Sequence, residues 1–99
     1  MGHDLTFVCP SGTAKTPAIH VSYSFNAFYY IFNPTTQKNA TGADLAPILS
    51  NAINRMNRIF MTLETSKDPL RAVPGNYNAV LTLLLNYAKQ HPTWIFHCD

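Results

Sequence analysis

The sequence predicts a small α+β fold: one antiparallel or mixed sheet of about three strands, with two main helices and one short aromatic helix packed on it in the order β-β-α-α-α-β. Three observations predict it. Short runs rich in aromatic and β-branched residues, Leu5-Thr6-Phe7-Val8 and Thr93-Trp94-Ile95-Phe96-His97, stand near the two ends of the chain. Apolar residues at helical spacing fill the centre and the first part of the last quarter. The 99 residues, 46% of them hydrophobic, suffice for one buried core and are too few for two, so residues 1–99 read as a single domain.

The first strand holds Leu5 and Phe7 on one face and is stopped by Pro10-Ser11-Gly12. Met1-Gly2 with Thr6 also fits the acylation pattern M-G-x-x-x-[ST]. No basic patch stands near Gly2 to support a single acyl chain, so Thr6 is read as the outward residue of the strand. Ile19, Val21, Tyr23 and Phe25 alternate with His20, Ser22 and Ser24, the period of a half-buried second strand. Phe25, Phe28, Tyr29 and Phe32 then fall at i, i+3, i+4 and i+7, which predicts a short aromatic helix capped by Ser24 or Asn26 and ended by Asn33-Pro34.

Residues 35–42 form a polar loop before the strongest helical signal. There Leu45, Ile48, Leu49, Ala52, Ile53, Met56, Ile59, Phe60 and Leu63 make one apolar stripe. Thr41 or Asp44 caps this helix, and Pro47 is placed in its first turn, where backbone donors lack helical partners. Residues 66–75 connect to a last helix capped by Asn76, with Val80, Leu83, Leu84 and Tyr87 facing inward and Leu81 and Leu85 widening that face. His91-Pro92 ends it, and the closing strand puts Trp94 and Phe96 on one face and Ile95 and His97 on the other.

Taken together, T41-G-A-D-L-A-P-I-L-S-N-A-I53, P74-G-N-Y-N-A-V-L-T-L-L-L-N-Y-A-K89 and H91-P-T-W-I-F-H-C-D99 resemble a group of small, mostly phage-encoded proteins. Those begin with an M-x-x-D-L strand, continue through an I-T-Y-N strand end, and carry T-G-A-E-x-x-P-x-L and P-G-N helix starts before a P-x-x-x-W-x-x-D ending. Gly42, Pro47, Gly75, Asn76, Pro92 and Asp99 match that pattern, whereas Val21-Ser22-Tyr23-Ser24 replaces the amide of I-T-Y-N with a hydroxyl. The resemblance implies a viral or bacterial source and brings no activity with it.

Composition disfavours several functions. Seven Lys/Arg against five Asp/Glu give a net charge of +2, too weak a field to favour nucleic acid or an anionic membrane. Nine Asn and a charged fraction of 12%, about half the usual level, leave a surface that is polar but mostly uncharged. No apolar stretch is long enough to span a bilayer and no signal peptide is recognisable, so a cytoplasmic location is expected, the host cytoplasm for a viral protein. Asn39-Ala40-Thr41 accordingly reads as a turn and not as a glycosylated sequon.

No metal, cofactor or catalytic site is expected. The four histidines lack ligand spacing, and Cys9 and Cys98 read as free thiols without a local base. Ser11-Gly12-Thr13-Ala14-Lys15-Thr16 lacks the first glycine of a phosphate loop. Two polar groupings remain. Asp4, His20, Asn76, His97 and Asp99 are candidates for a small polar ligand if the strand ends meet helix N-termini, the plainer reading being backbone caps and a solvated Asp99. Asn51, Asn54, Arg55 and Arg58 at i, i+3, i+4 and i+7 form an amide and guanidinium stripe for phosphates or an acidic protein surface, or simply the wet side of an amphipathic helix.

Tyr29, Tyr30 and Trp94 add aromatic surface if they are not in the core. The leading expectation is a non-enzymatic viral accessory protein that binds and inhibits a host protein of antiviral defence. The alternatives are a binder that sequesters a small ligand or nucleotide, and a virion structural or assembly protein, for which homo-oligomers are expected.

Overall fold

A computed structural model describes residues 2–99. Its elements are strands β1 (Gly2–Val8) and β2 (Ile19–Ser22), 3-10 turns over Tyr23–Phe28 and Pro34–Thr36, helices α1 (Gly42–Ile59) and α2 (Pro74–Gln90), and strand β3 (Ile95–Cys98). The sheet is antiparallel throughout in the order β2-β1-β3, so the α+β class and the three strands are as the sequence predicts. Leu5 pairs with both Ile19 and Cys98, and Phe7 with Phe96. This register puts Leu5, Phe7, Ile19, Val21, Phe96 and Cys98 on the face that packs on the helices. Thr6 lies on the opposite face, yet it is buried and not outward.

The aromatic segment departs from the prediction. β2 stops at Ser22, so Tyr23 and Phe25 leave the strand, and the chain continues into a 3-10 turn instead of an α-helix. Phe25, Phe28 and Ile31, all buried, are three residues apart, which is the period at which 3-10 side chains eclipse. The amides of Tyr29 and Ile31 accordingly bond the carbonyls of Asn26 and Phe28 three residues back. Asn33 then starts the second turn by accepting from the Thr35 amide at 3.0 Å.

α1 begins as expected, the Thr41 hydroxyl accepting from the Asp44 amide at 3.1 Å. Because the helix starts at Gly42, Pro47 falls in its second turn, not its first; both Pro47 and Ala43, whose carbonyl it leaves without a helical donor, are exposed to water. The helix ends at Ile59, one turn short of Leu63, and Ile48 and Ile59 are left 39% and 46% exposed.

α2 starts at Pro74 with Val73 as its cap residue, so Asn76 lies inside the first turn and does not cap it. Its buried face is Tyr77, Leu81, Leu84 and Ala88, rotated from the predicted one, and Leu83 points outward at 40% exposure. Tyr77 is what sets that rotation. Its ring stacks with Phe25 and Phe28 at 5.5 Å, and its hydroxyl donates to the Phe32 carbonyl. The two helices meet closely at Gly42, where a Cβ would run into the carbonyl oxygens of His91 and Ala88 at the end of α2.

Candidate functional site

β1 supplies the first candidate group. Asp4 lies opposite His20 on one side and exchanges backbone bonds with Asp99 at 3.0 and 3.1 Å on the other, and Thr6 lies opposite His97. Directly opposed residues share a face, so Asp4, His20, His97 and Asp99 are brought together on the side of the sheet away from the core. All four are exposed, and the Asp4 carboxylate meets His20 Nδ1 at 2.8 Å. This is an open surface row with one solvated Asp4–His20 hydrogen bond.

Asn76 is elsewhere. Its Oδ1 accepts from the Ser66 amide at 3.2 Å, and its Nδ2 donates to the carbonyls of Asp68 and Arg71, both at 3.0 Å. A buried amide with these partners has its capacity spent on holding the 66–71 connection against α2, which corrects its grouping with the strand residues. Among the described residues, no three His, Cys, Asp or Glu side chains gather as metal ligands.

The α1 stripe is on the outer side of its helix. Asn51, Asn54 and Arg58 are exposed, while Arg55 is half-buried and donates Nη1 to the Tyr30 carbonyl at 3.4 Å. Ile48 and Ile59 run along the flank of this stripe, on the same side as Arg55, and Met61 beyond them is fully exposed. No acidic residue occurs between Asp44 and Glu64. Tyr30 is 60% exposed beside this region, whereas Tyr29 and Trp94 pack partly on the core, Trp94 also stacking on His91 at 3.7 Å.

The structure adds a pocket that sequence reasoning missed. It has a volume of about 340 Å³ and is lined by His3, Tyr23, Asn26, Tyr29 and Thr35. His3 comes from the start of β1, Tyr23 and Asn26 from the first 3-10 turn, Tyr29 from its end, and Thr35 from the second turn. Tyr23, Asn26 and Tyr29 are spaced by three. A period of three in place of 3.6 was the available signal, because it aligns these side chains on one face just as it aligns Phe25, Phe28 and Ile31 on the other. The Tyr29 hydroxyl is buried without a hydrogen-bond partner among the described residues, and burial raises its pKa above the ordinary tyrosine value.

The two thiols are far apart and chemically unlike. Cys98 lies opposite Leu5, and Cys9 is four residues further along β1's course, about 13 Å at strand rise, too far for a disulfide. The Cys9 thiol lies 3.2 Å from the Ser11 hydroxyl, and hydrogen bonds from Ser11 lower its pKa. Burial raises that of Cys98. Neither has a histidine or carboxylate base bonded to it among the described residues.

Among the described residues no helix is long and apolar enough to cross a membrane. Comparison with models of known protein families, with curated proteins and with solved structures finds no match for the chain.

Proposed function

We propose that this chain is a non-enzymatic phage or viral accessory protein that works in the host cytoplasm by binding and inhibiting a host protein of antiviral defence. The observation that carries the binding role is the outer side of α1. Asn51, Asn54 and Arg58 are exposed there with apolar Ile48 and Ile59 beside them and Met61 beyond, and the one acid on that face, Asp44, stands two turns before Asn51. Such a surface suits an acidic protein partner: guanidinium groups fork onto carboxylates, amides adapt as donor or acceptor, and the aliphatic flank supplies area to desolvate. The viral setting is supported by the resemblance of the T41-G-A-D-L-A-P, P74-G-N and C-terminal segments alone, and the defence target is inferred from that setting and the small size of the chain, not from any activity of the group.

The test is affinity capture from bacterial lysate with the native chain and with an Asn54→Glu/Arg58→Glu double variant. A stoichiometric acidic partner retained by the native chain and lost by a variant of unchanged melting temperature is the expected result, since central Arg contacts carry about 2 kcal/mol or more. Absence of a stoichiometric partner, or equal capture by the charge-reversed chain, overturns the proposal.

A further inference from the structure

We infer that the pocket between the start of β1 and the two 3-10 turns is a binding site for a small, neutral, planar heterocycle of the nucleobase or nucleoside class. Three of its five lining residues carry rings, His3, Tyr23 and Tyr29, the first and last of them 6.4 Å apart and tilted, and the other two, Asn26 and Thr35, carry an amide and a hydroxyl. Rings of this kind offer flat faces for stacking, which favours a planar π-system over a flexible aliphatic ligand. The volume of about 340 Å³ is at the small end of the usual range of about 300–1,000 Å³, the size of one base with its sugar and not of a dinucleotide.

The polar groups narrow the class. The Asn26 side chain makes no hydrogen bond among the described residues and stands exposed at the pocket, so one amide donor and one acceptor are free to pair with a base edge. The Thr35 hydroxyl already donates to Asn33 Oδ1 at 2.6 Å and keeps lone pairs to accept from a ligand N–H. No Lys, Arg, Asp or Glu lines the pocket and His3 is its one basic side chain, so it offers no cluster of cations for a phosphate and favours the uncharged base or nucleoside. Tyr23 fits this role better than a packing role, because it remains 63% exposed while Phe25 and Phe28 of the same turn are buried. The site shares no residue with the α1 stripe and stands independently of the partner proposed for it.

The experiment is a titration of the ¹⁵N-labelled full chain with adenosine, guanosine and uridine at millimolar concentrations, with AMP and ribose as further arms, monitored by amide shifts. Saturable shifts centred on His3, Tyr23, Asn26, Tyr29 and Thr35 are expected for at least one nucleoside, with AMP no tighter than its nucleoside and ribose inactive. Tyr23→Ala should weaken binding roughly 5- to 150-fold and Asn26→Ala about fivefold; both positions are exposed, so unchanged melting curves separate lost contacts from lost structure. No saturable shift with any nucleoside, shifts centred elsewhere, AMP binding tenfold tighter than adenosine, equal response to ribose, or native affinity in Tyr23→Ala would each overturn the assignment.

Discussion

Asn76 shows how one side chain can stand in for a stretch of regular structure. Its amide ties Ser66, Asp68 and Arg71, three points of a connection that has no secondary structure of its own. Asn76→Ala leaves the Ser66 amide without a partner and takes a second donor from the Asp68 and Arg71 carbonyls, which keep the Arg71 and Val73 amides, and is expected to destabilise by about 1–3 kcal/mol in urea denaturation, with earlier proteolysis at residues 64–73. Asn76→Asp should do nearly the same, because a carboxylate keeps the Ser66 bond but faces two carbonyls it cannot donate to. Tyr77 and Tyr29 give a pH dependence. Burial holds both phenols above the ordinary tyrosine pKa, Tyr77 far above it. Above about pH 10 the unfolded chain sheds protons that the folded chain keeps, so folding stability falls as pH rises through that point and is unaffected below it. The tyrosine contribution should therefore be level to about pH 9 and then decline, added to an earlier loss from the buried Cys98 thiol, and Tyr77→Phe should flatten the tyrosine part at a neutral-pH cost of about 1–2 kcal/mol for the lost Phe32 bond. The thiols separate by rate: in native protein a thiol reagent should modify Cys9 quickly and Cys98 only on unfolding, and equal rates for the two would contradict the burial of Cys98.

At the scale of elements, Leu81 and Leu83 make the sharpest contrast. Leu81 is fully buried and Leu83 is 40% exposed on the same helix, so Leu81→Ala should cost about 2–5 kcal/mol and Leu83→Ala under about 1 kcal/mol in the same denaturation assay. The apolar periodicity of α2 alone admits either leucine as the inner one, because Val80, Leu81, Leu83, Leu84 and Leu85 surround the helix; Tyr77, anchored on Phe32, decides it. α1 was more legible, since Leu45, Leu49, Ala52 and Met56 face a polar side rich in Asn, and the Thr41 cap marks its start. The existence of the three strands was legible from composition and alternation, whereas the shared face of Asp4, His20, His97 and Asp99 follows from the antiparallel register. What alternation and a 3.6 period cannot distinguish is a 3-10 turn, and that is where the strand end at Ser22 and the pocket around Tyr23 and Asn26 were missed. Gly42 belongs to this scale as well. Gly42→Ala would ordinarily favour a helix by about 1 kcal/mol, yet here the new methyl meets two backbone carbonyls that cannot turn aside, and the expected result is a lower melting temperature.

For the molecule as a whole, one buried cluster joins the inner face of the sheet, the aromatic turns and both helices. The opposite face of the sheet carries Asp4, His20, His97 and Asp99 in water, so the Asp4–His20 pair contributes little, and His20→Ala should shift stability by less than about 1 kcal/mol. The two margins of the sheet differ. At β3, the Phe96 amide donates to the Ala40 carbonyl and the Phe96 carbonyl accepts from Asn39, so the connection before α1 occupies the middle of that margin. Along β2, no backbone hydrogen bond of the described residues reaches the outer side. A body with two free margins can add copies without end, whereas one with a single free margin can only close on itself across a twofold axis. Any strand-to-strand association of this chain would thereby stop at a pair with a six-stranded sheet, and sedimentation at increasing concentration should show no strand-paired species larger than a dimer.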